Sequence, residues 1–319
     1  MNKVFTDGLS FALPLLIMAI GGLYSEKSGV TNLAVEGFQG VGAFFGALAA
    51  MLLTPVMGSG NQAIIYIAMV CAAAGAALFS CLHALLCIRF RANQIISGVV
   101  INILAVALTA FFTSAVNSAV NGTASNKIIL DVSTRFTIPG LSAIPWIGGL
   151  FTDIYPFEII IIVLAVFLWY LLNRTRFGMH LRACGENPQA VDAAGGKVNR
   201  TRWIAVIISG ALSGIGGICF AYSLLGNFSP SIYQGFGYLA IAAMIFGNWN
   251  IGSTTLACLF FGFAKSGGLQ LCVAMELSSN YTDLFLMLPY VLTLLLLIFF
   301  SRKNHSPKAA GEPWDKSKR

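Results

Sequence analysis

Apolar residues run in long blocks through most of this sequence, and charged residues are confined to short gaps between the blocks. A helix that crosses a bilayer needs about 17–25 mostly apolar residues. Gly8–Tyr24, Val30–Leu53, Ala63–Ile88, Ile95–Val116, Trp203–Leu225 and Leu284–Phe300 meet that requirement. Phe157–Leu172 is slightly short but carries no charge after Glu158. Phe236–Phe246 and Ile251–Ala264 are shorter still. Gly235, Gly237, Gly247 and Gly252 lie around them, which predicts half-helices or strongly bent ones. A last weak run, Gly268–Ala274, reads as a re-entrant stretch or a broken helix end. With the two short runs counted separately, the pattern predicts nine crossings. The fold class is an all-α polytopic membrane protein, some of its segments broken or re-entrant, with one transmembrane domain over residues 1–300.

Composition agrees with that class. Of 319 residues, 57% are hydrophobic and only 10% are charged, against about 25% charged in an average soluble domain. The mean hydropathy is +0.80. Too little charge is present to cover a soluble surface, which excludes a soluble enzyme, a nucleic-acid binder and a secreted disulfide scaffold. The net charge of +7 fits the Lys/Arg excess of cytoplasmic loops. Basic clusters fall at Arg89/Arg91, Arg174/Arg176/Arg182, Lys197/Arg200/Arg202 and from Arg302 onward. Nine crossings put all four on the cytoplasmic side, with the N-terminus outside and the C-terminus inside. Only Lys3, Lys127, Arg135 and Lys265 then lie outside. Lys3 and Asp7 precede the first run, and no small-x-small cleavage site precedes Glu26. Gly8–Tyr24 is therefore expected to stay as a membrane helix.

Two loops stand out. Residues 117–156 form the one long extracytoplasmic loop, with Asp131, Arg135, Pro139-Gly140 and Pro145-Trp146, and are expected to pack over the outer face. Residues 173–202 form the long cytoplasmic loop. The tail, 301–319, is polar and rich in Lys and Pro, and is expected to be disordered. The seven Cys show no C-x-x-C pair. With the three His they give no metal spacing, and five of them, in apolar runs, read as small buried hydrophobes.

Polar side chains in lipid normally face a cavity or a partner helix. Asn32 and Glu36 are four residues apart, hence on one helical face, and Gln39 falls in the same sector. Asn93, Gln94, Ser97 and Asn102 repeat the theme in the fourth span. Each set lines a substrate path or clamps helices, and the residues alone leave both readings open. Gly42/Gly46 and Gly210/Gly214 have the G-x-x-x-G spacing that lets helices approach closely. Tyr24, Phe228, Tyr233 and Phe236, read as lying near the outer mouth, either stack on a ring or belong to an interfacial belt.

The cytoplasmic loop is the most informative stretch. Asn187 suits an N-cap, Pro188 the first helical position and Gly195 a C-terminal cap. The short helix between them is too short to be stable alone in water, so it must dock on its own protein or on a partner. Glu186 and Asp192 give it a charged rim. Gly195-Gly196-Lys197-Val198 imitates the end of a phosphate loop, but Val198 stands where Ser or Thr is required and Val191 where the first Gly belongs. The chain has no nucleotide-binding motif of its own.

Arg176, Gly178, Arg182, Ala183, Gly185, Asn187, Ala190, Ala194 and Gly195 resemble, position by position, the coupling-loop signature of ABC-importer permeases of the ribose, simple-sugar and nucleoside class; Val191 departs from its usual Ala. Glu26–Gly42, Arg91–Gly98 and Tyr238–Trp249 are similar to three further segments of that family. The resemblance spans residues 20–265. It implies the type II ABC-importer permease fold in a bacterial cytoplasmic membrane, multi-pass, with a cytoplasmic C-terminus. Glu186, Asn187, Pro188, Gln189, Ala190, Val191, Asp192, Ala193, Ala194 and Gly195 would couple to an ATPase, with Asn32, Glu36, Gln94 and Asn102 as path or packing candidates. The implied partners are a second, homologous permease (or a copy of this chain), a tandem-domain ATPase and an extracytoplasmic binding lipoprotein. ATP and Mg would bind that ATPase, and no cofactor or metal this chain. The implied cargo is a nucleoside or simple sugar, nucleoside-type permeases being the more similar. An ion-coupled transporter using Glu36 is the alternative from another class. A membrane enzyme is disfavoured, because no cluster supplies a nucleophile, base or metal site.

Overall fold

The computed structural model describes residues 2–130, 135–140, 142, 148, 152–233, 235–276, 285, 287–300 and 305–316. The apolar blocks are helices. They are α1 (Asn2–Lys27), α2 (Val35–Met57), α3 (Ala63–Ala84, continued by a π-helical turn, Leu85–Arg89), α4 (Gln94–Asn121) and α5 (Pro156–Arg174). Two short helices follow, α6 (Arg176–Glu186) and α7 (Pro188–Ala193), then α8 (Val198–Phe220, ending in a π turn), α9 (Phe236–Phe246), α10 (Ile251–Ala274) and α11 (Leu288–Phe300). Seven of these are long and apolar enough to cross a membrane.

Helices α1, α2, α3 and α8 make the core of the bundle, and glycine sets their spacing. A Cβ at Gly42 would fall on the backbone of Gly214, and one at Gly214 on the Ala72 carbonyl. One at Gly210 would meet Ser80 of α3 at 2.5 Å. Both G-x-x-x-G pairs are therefore used, with α8 wedged between α2 and α3 at backbone distance.

The chain alternates between two ends of the bundle. At one end, Asp7 faces Arg135 at 3.7 Å, and Thr6 donates to the carbonyl of Thr152. There β1 (Ile128–Ile129) pairs antiparallel with β2 (Asn227–Phe228), so described parts of the 117–156 loop do pack over that face. Asp131 and Pro145–Trp146 lie outside the described residues. At the other end are Lys27, Arg91, the α6–α7 loop and the tail.

Four expectations need correction. Ile251–Ala264 and Gly268–Ala274 are one straight-through helix, α10. The helix runs unbroken through Gly267 and Gly268. Lys265 is accordingly no loop residue. It is buried, with Nζ 3.9 Å from the Phe11 ring centroid and 4.4 Å from that of Phe236. The tail is ordered over residues 305–316 and docked, because Ala309 and Trp314 give it apolar footholds. Tyr24 sits at the α6–α7 end, donating to the carbonyl of Leu168 at 2.6 Å. Phe228 and Phe236 are core residues too: Phe236 packs on Phe11 and Phe220 with centroids 5.2 and 4.9 Å apart. The side chain of Tyr233 lies outside the described residues.

Of the two runs read as short, α9 is the one that stays short. Its 11 residues reach about 16 Å, half of a ~30 Å hydrocarbon layer. The turn that follows holds Asn248 and Trp249 at φ 50° and 53°, a conformation uncommon outside Gly.

Candidate functional site: the α6–α7 loop and the polar seam of α2

Helix α7 forms where the capping residues place it. The Asn187 Oδ1 accepts from the Ala190 amide at 3.0 Å, Pro188 opens the helix, and Gly195 turns the chain away at φ 81°. The helix has two faces. Pro188 and Val191 are buried, while Gln189, Ala190, Ala193 and Ala194 are exposed. Val191 packs with Cys184, Val198 and Trp314, so the residue that departs from the family's usual Ala is the anchor. Apart from Gln189, the exposed face is left with alanines, and Asn187 and Glu186 lie exposed beside it.

The glycines of the loop hold it against the bundle. A Cβ at Gly178 would strike the carbonyls of Leu171 and Leu172, and one at Gly185 the carbonyl of Lys27. Only glycine allows α6 to lie that close to α1 and α5. Thr175 caps α6 through the Gly178 amide at 3.2 Å. Asp192 pairs with Lys316 at 3.7 Å. The Cys184 thiol, fully buried under this layer, is pushed above the ordinary thiol range by that burial.

The intramembrane candidates converge on the start of α2. Gln94 Oε1 accepts from the Thr31 amide at 2.6 Å. Asn32 donates to Ser209 at 2.8 Å and accepts from the Ala34 amide. Asn102 accepts from the Gly37 amide and donates to the Leu33 carbonyl, both at 2.8 Å, and to the Tyr238 hydroxyl at 2.9 Å. Glu36 accepts from the amides of Gly235 at 2.9 Å and Gly237 at 2.5 Å. A carboxylate thus meets the unpaired donors at the N-terminus of α9. All four side chains tie 31–37 to its neighbours. Gln39, on the same sector, is buried with neither amide atom hydrogen-bonded.

Three residues join the site that sequence reasoning did not single out. Glu26 accepts from the Trp249 indole at 2.5 Å, joining two family-like segments that are far apart in the chain. Arg202, buried, donates to the carbonyls of Ser28 at 3.1 Å and Glu312 at 2.9 Å. Trp314 was hidden in a tail whose charge suggests disorder; the Pro313-Trp314 pair was the available signal. Among the described residues no cluster of His, Cys, Asp and Glu could hold a metal ion.

A helix bundle of this length and apolarity, with a loop helix held at one end, is that of a multi-pass membrane protein. The chain belongs to the family described as "Branched-chain amino acid transport system / permease component", whose model matches residues 4–297. It is similar to the guanosine ABC transporter permease protein NupQ of Bacillus subtilis (strain 168), at 38% identity over 316 residues, covering 98% of this chain and 96% of that one. The nucleoside ABC transporter permease protein NupC of Lactococcus lactis subsp. cremoris (strain MG1363) is 37% identical over 322 residues, 99% and 97% of the two chains. A second Bacillus subtilis relative, the guanosine ABC transporter permease protein NupP, is 27% identical over 276 residues, 85% and 75% of the two chains. No solved structure matches. The four-segment resemblance holds at the level of the permease class. The ion-coupled alternative finds no support in these relatives, and both oxygens of Glu36 are engaged by backbone amides.

Proposed function

We propose that this chain is a permease subunit of an ATP-driven importer of nucleosides in a bacterial cytoplasmic membrane. The observation that carries the coupling role is the small-residue face of α7, exposed on a helix anchored through Pro188 and Val191. Small side chains permit close seating in a groove, and the anchored base passes a push on α7 into α1, α5 and α8. The α7 end with the tail faces the cytoplasm and the Asp7–Arg135 end the outside, in line with the basic clusters. On this reading the chain makes nine crossings, α9 supplying the inner half of one of them.

The nucleoside cargo rests on near-full-length similarity to two relatives named for guanosine or nucleoside transport. The partner permease is a diverged homologue: NupQ and NupP of one organism match this chain at 38% and 27% identity, as expected of two unlike subunits. A separate ATPase holds ATP and Mg, and an extracytoplasmic binding lipoprotein delivers cargo to the outer end. The test is uptake of labelled guanosine into cells that produce the whole system, with ribose as competitor. Ala190→Trp should leave the permease inserted, since position 190 is exposed at the end of the bundle, yet abolish uptake and co-purification of the ATPase. Full uptake with ATPase retained would remove α7 as the coupling element, and ribose competition equal to guanosine's would overturn the cargo.

A further inference from the structure

The exposed half of α7 is small. Six residues make a helix about 9 Å long, whereas a specific protein interface buries about 800 Å² a side. Docking an ATPase needs more surface, and the neighbouring surface belongs to the tail. Besides the Lys316–Asp192 pair, the tail is fastened at five places. His305 N–H donates to Asn248 Oδ1 at 2.7 Å, and Ala309 N–H to the Gly185 carbonyl at 2.8 Å. The Glu312 carbonyl accepts from Arg202, and Trp314 covers Cys184, Val191 and Val198. Asp315 takes Arg91 in a two-point pair, at 2.7 and 3.2 Å. Between this strap and the first turn of α7 is a cleft of about 320 Å³, walled by Pro188 and Gln189 on one side and Pro313 and Trp314 on the other, with Arg202 at its floor.

We propose that the docked tail is the second half of the ATPase docking surface. The ATPase subunit rests on the alanine face of α7 and on residues 312–315 together, and inserts a side chain into the cleft between them. The cleft shares a wall with α7, so a partner seated on Ala190 is within about one helical turn, ~5 Å, of its mouth. A half-exposed Trp in a preformed cleft is a type of residue that dominates interface energetics. The tail also ties the load: Arg91, Arg202 and Asn248 carry a push on the strap into three inter-helix junctions besides those of α7. This inference rests on the importer reading.

The test is photo-crosslinking in the intact permease, co-produced with the ATPase subunit of the system, with a benzophenone side chain at position 189, where an exposed glutamine already stands, or at position 312. Residue 312 is exposed and its side chain makes none of the fastening contacts; only its carbonyl does. Adducts with the ATPase are expected from both positions. Trp314→Ala should free the tail, expose Cys184 to N-ethylmaleimide and lose the adduct from 312 while that from 189 persists. An adduct from 189 with none from 312 overturns the proposal and leaves the importer reading standing. No adduct from either position overturns both.

Discussion

Glu36 offers the sharpest single perturbation. It is 7% exposed, and its two oxygens receive separate backbone amides, Gly235 and Gly237, at the start of α9. Glutamine keeps the shape but has one acceptor oxygen, and its amino group would face an N–H. One of the two bonds is therefore lost. Polar contacts within membrane bundles are worth ~0.6 kcal/mol on average, up to ~1.7, and a bond to a charged group ~1.5–3. Glu36→Gln should cost about 1–2 kcal/mol on those scales. Leucine removes both acceptors and leaves two amides unmet, at ~1–3 kcal/mol each, so Glu36→Leu should cost about 2–6 kcal/mol. Against a typical stability of ~5–15 kcal/mol, the first variant folds and transports, and the second loses folded yield and uptake together. The assay is thermal melting of the purified permease beside guanosine uptake at matched expression. A Gln variant that melts like wild type but transports nothing would refute the clamp and give the carboxylate a chemical role. A Leu variant with unchanged melting would refute it equally.

Other outcomes follow from the same packing. In a Cys-free background, single Cys probes at positions 189 and 316 should label from the cytoplasmic side and one at 126 from outside; a shared side for 126 and 189 would sink the topology. Gly214→Val should collapse folded yield, because even a Cβ there meets the Ala72 carbonyl at 2.5 Å, while Gly267→Ala, with open space around it, should be neutral or gain up to ~1 kcal/mol of helix propensity; equal yields would falsify the glycine-spaced contact of α8 with α3. Cys184 should resist alkylation at neutral pH, being buried and held in the thiol form, and react readily in Trp314→Ala. Fast labelling of the wild-type protein would show that the tail does not cover it.

The long apolar runs made most helices legible, and Asn187, Pro188 and Gly195 made α7 legible almost to the residue, because capping chemistry is local. What failed was non-local. Lys265, Ser266, Gly267 and Gly268 read as a break, since a charge and two glycines are poor company in a lone membrane helix. The break vanishes once rings from α1 and α9 lie over the ammonium. Residues 305–316 read as a solvated tail because charge outweighs apolar content there; the sites that receive Ala309, Trp314 and Asp315 come from distant parts of the chain. The polar residues of α2 and α4 were visible, but which backbone groups they would meet was not, since Glu36 and Gly235 are 199 residues apart.

The shortness of α9 bears on how the protein is made. A segment of 11 residues offers too little apolar length to halt in a translocation channel as a spanning helix, for which about 17 or more are needed. The amides at its start cannot face lipid unpaired, and Glu36 is the side chain that receives two of them, those of Gly235 and Gly237. Helix α9 can therefore settle only after α1 and α2 have been released into the bilayer and have met. The order of synthesis guarantees this, because α2 precedes α9 by about two hundred residues. Moving α1 and α2 behind α9 by circular permutation would leave the half-helix without its receptor at the moment of insertion.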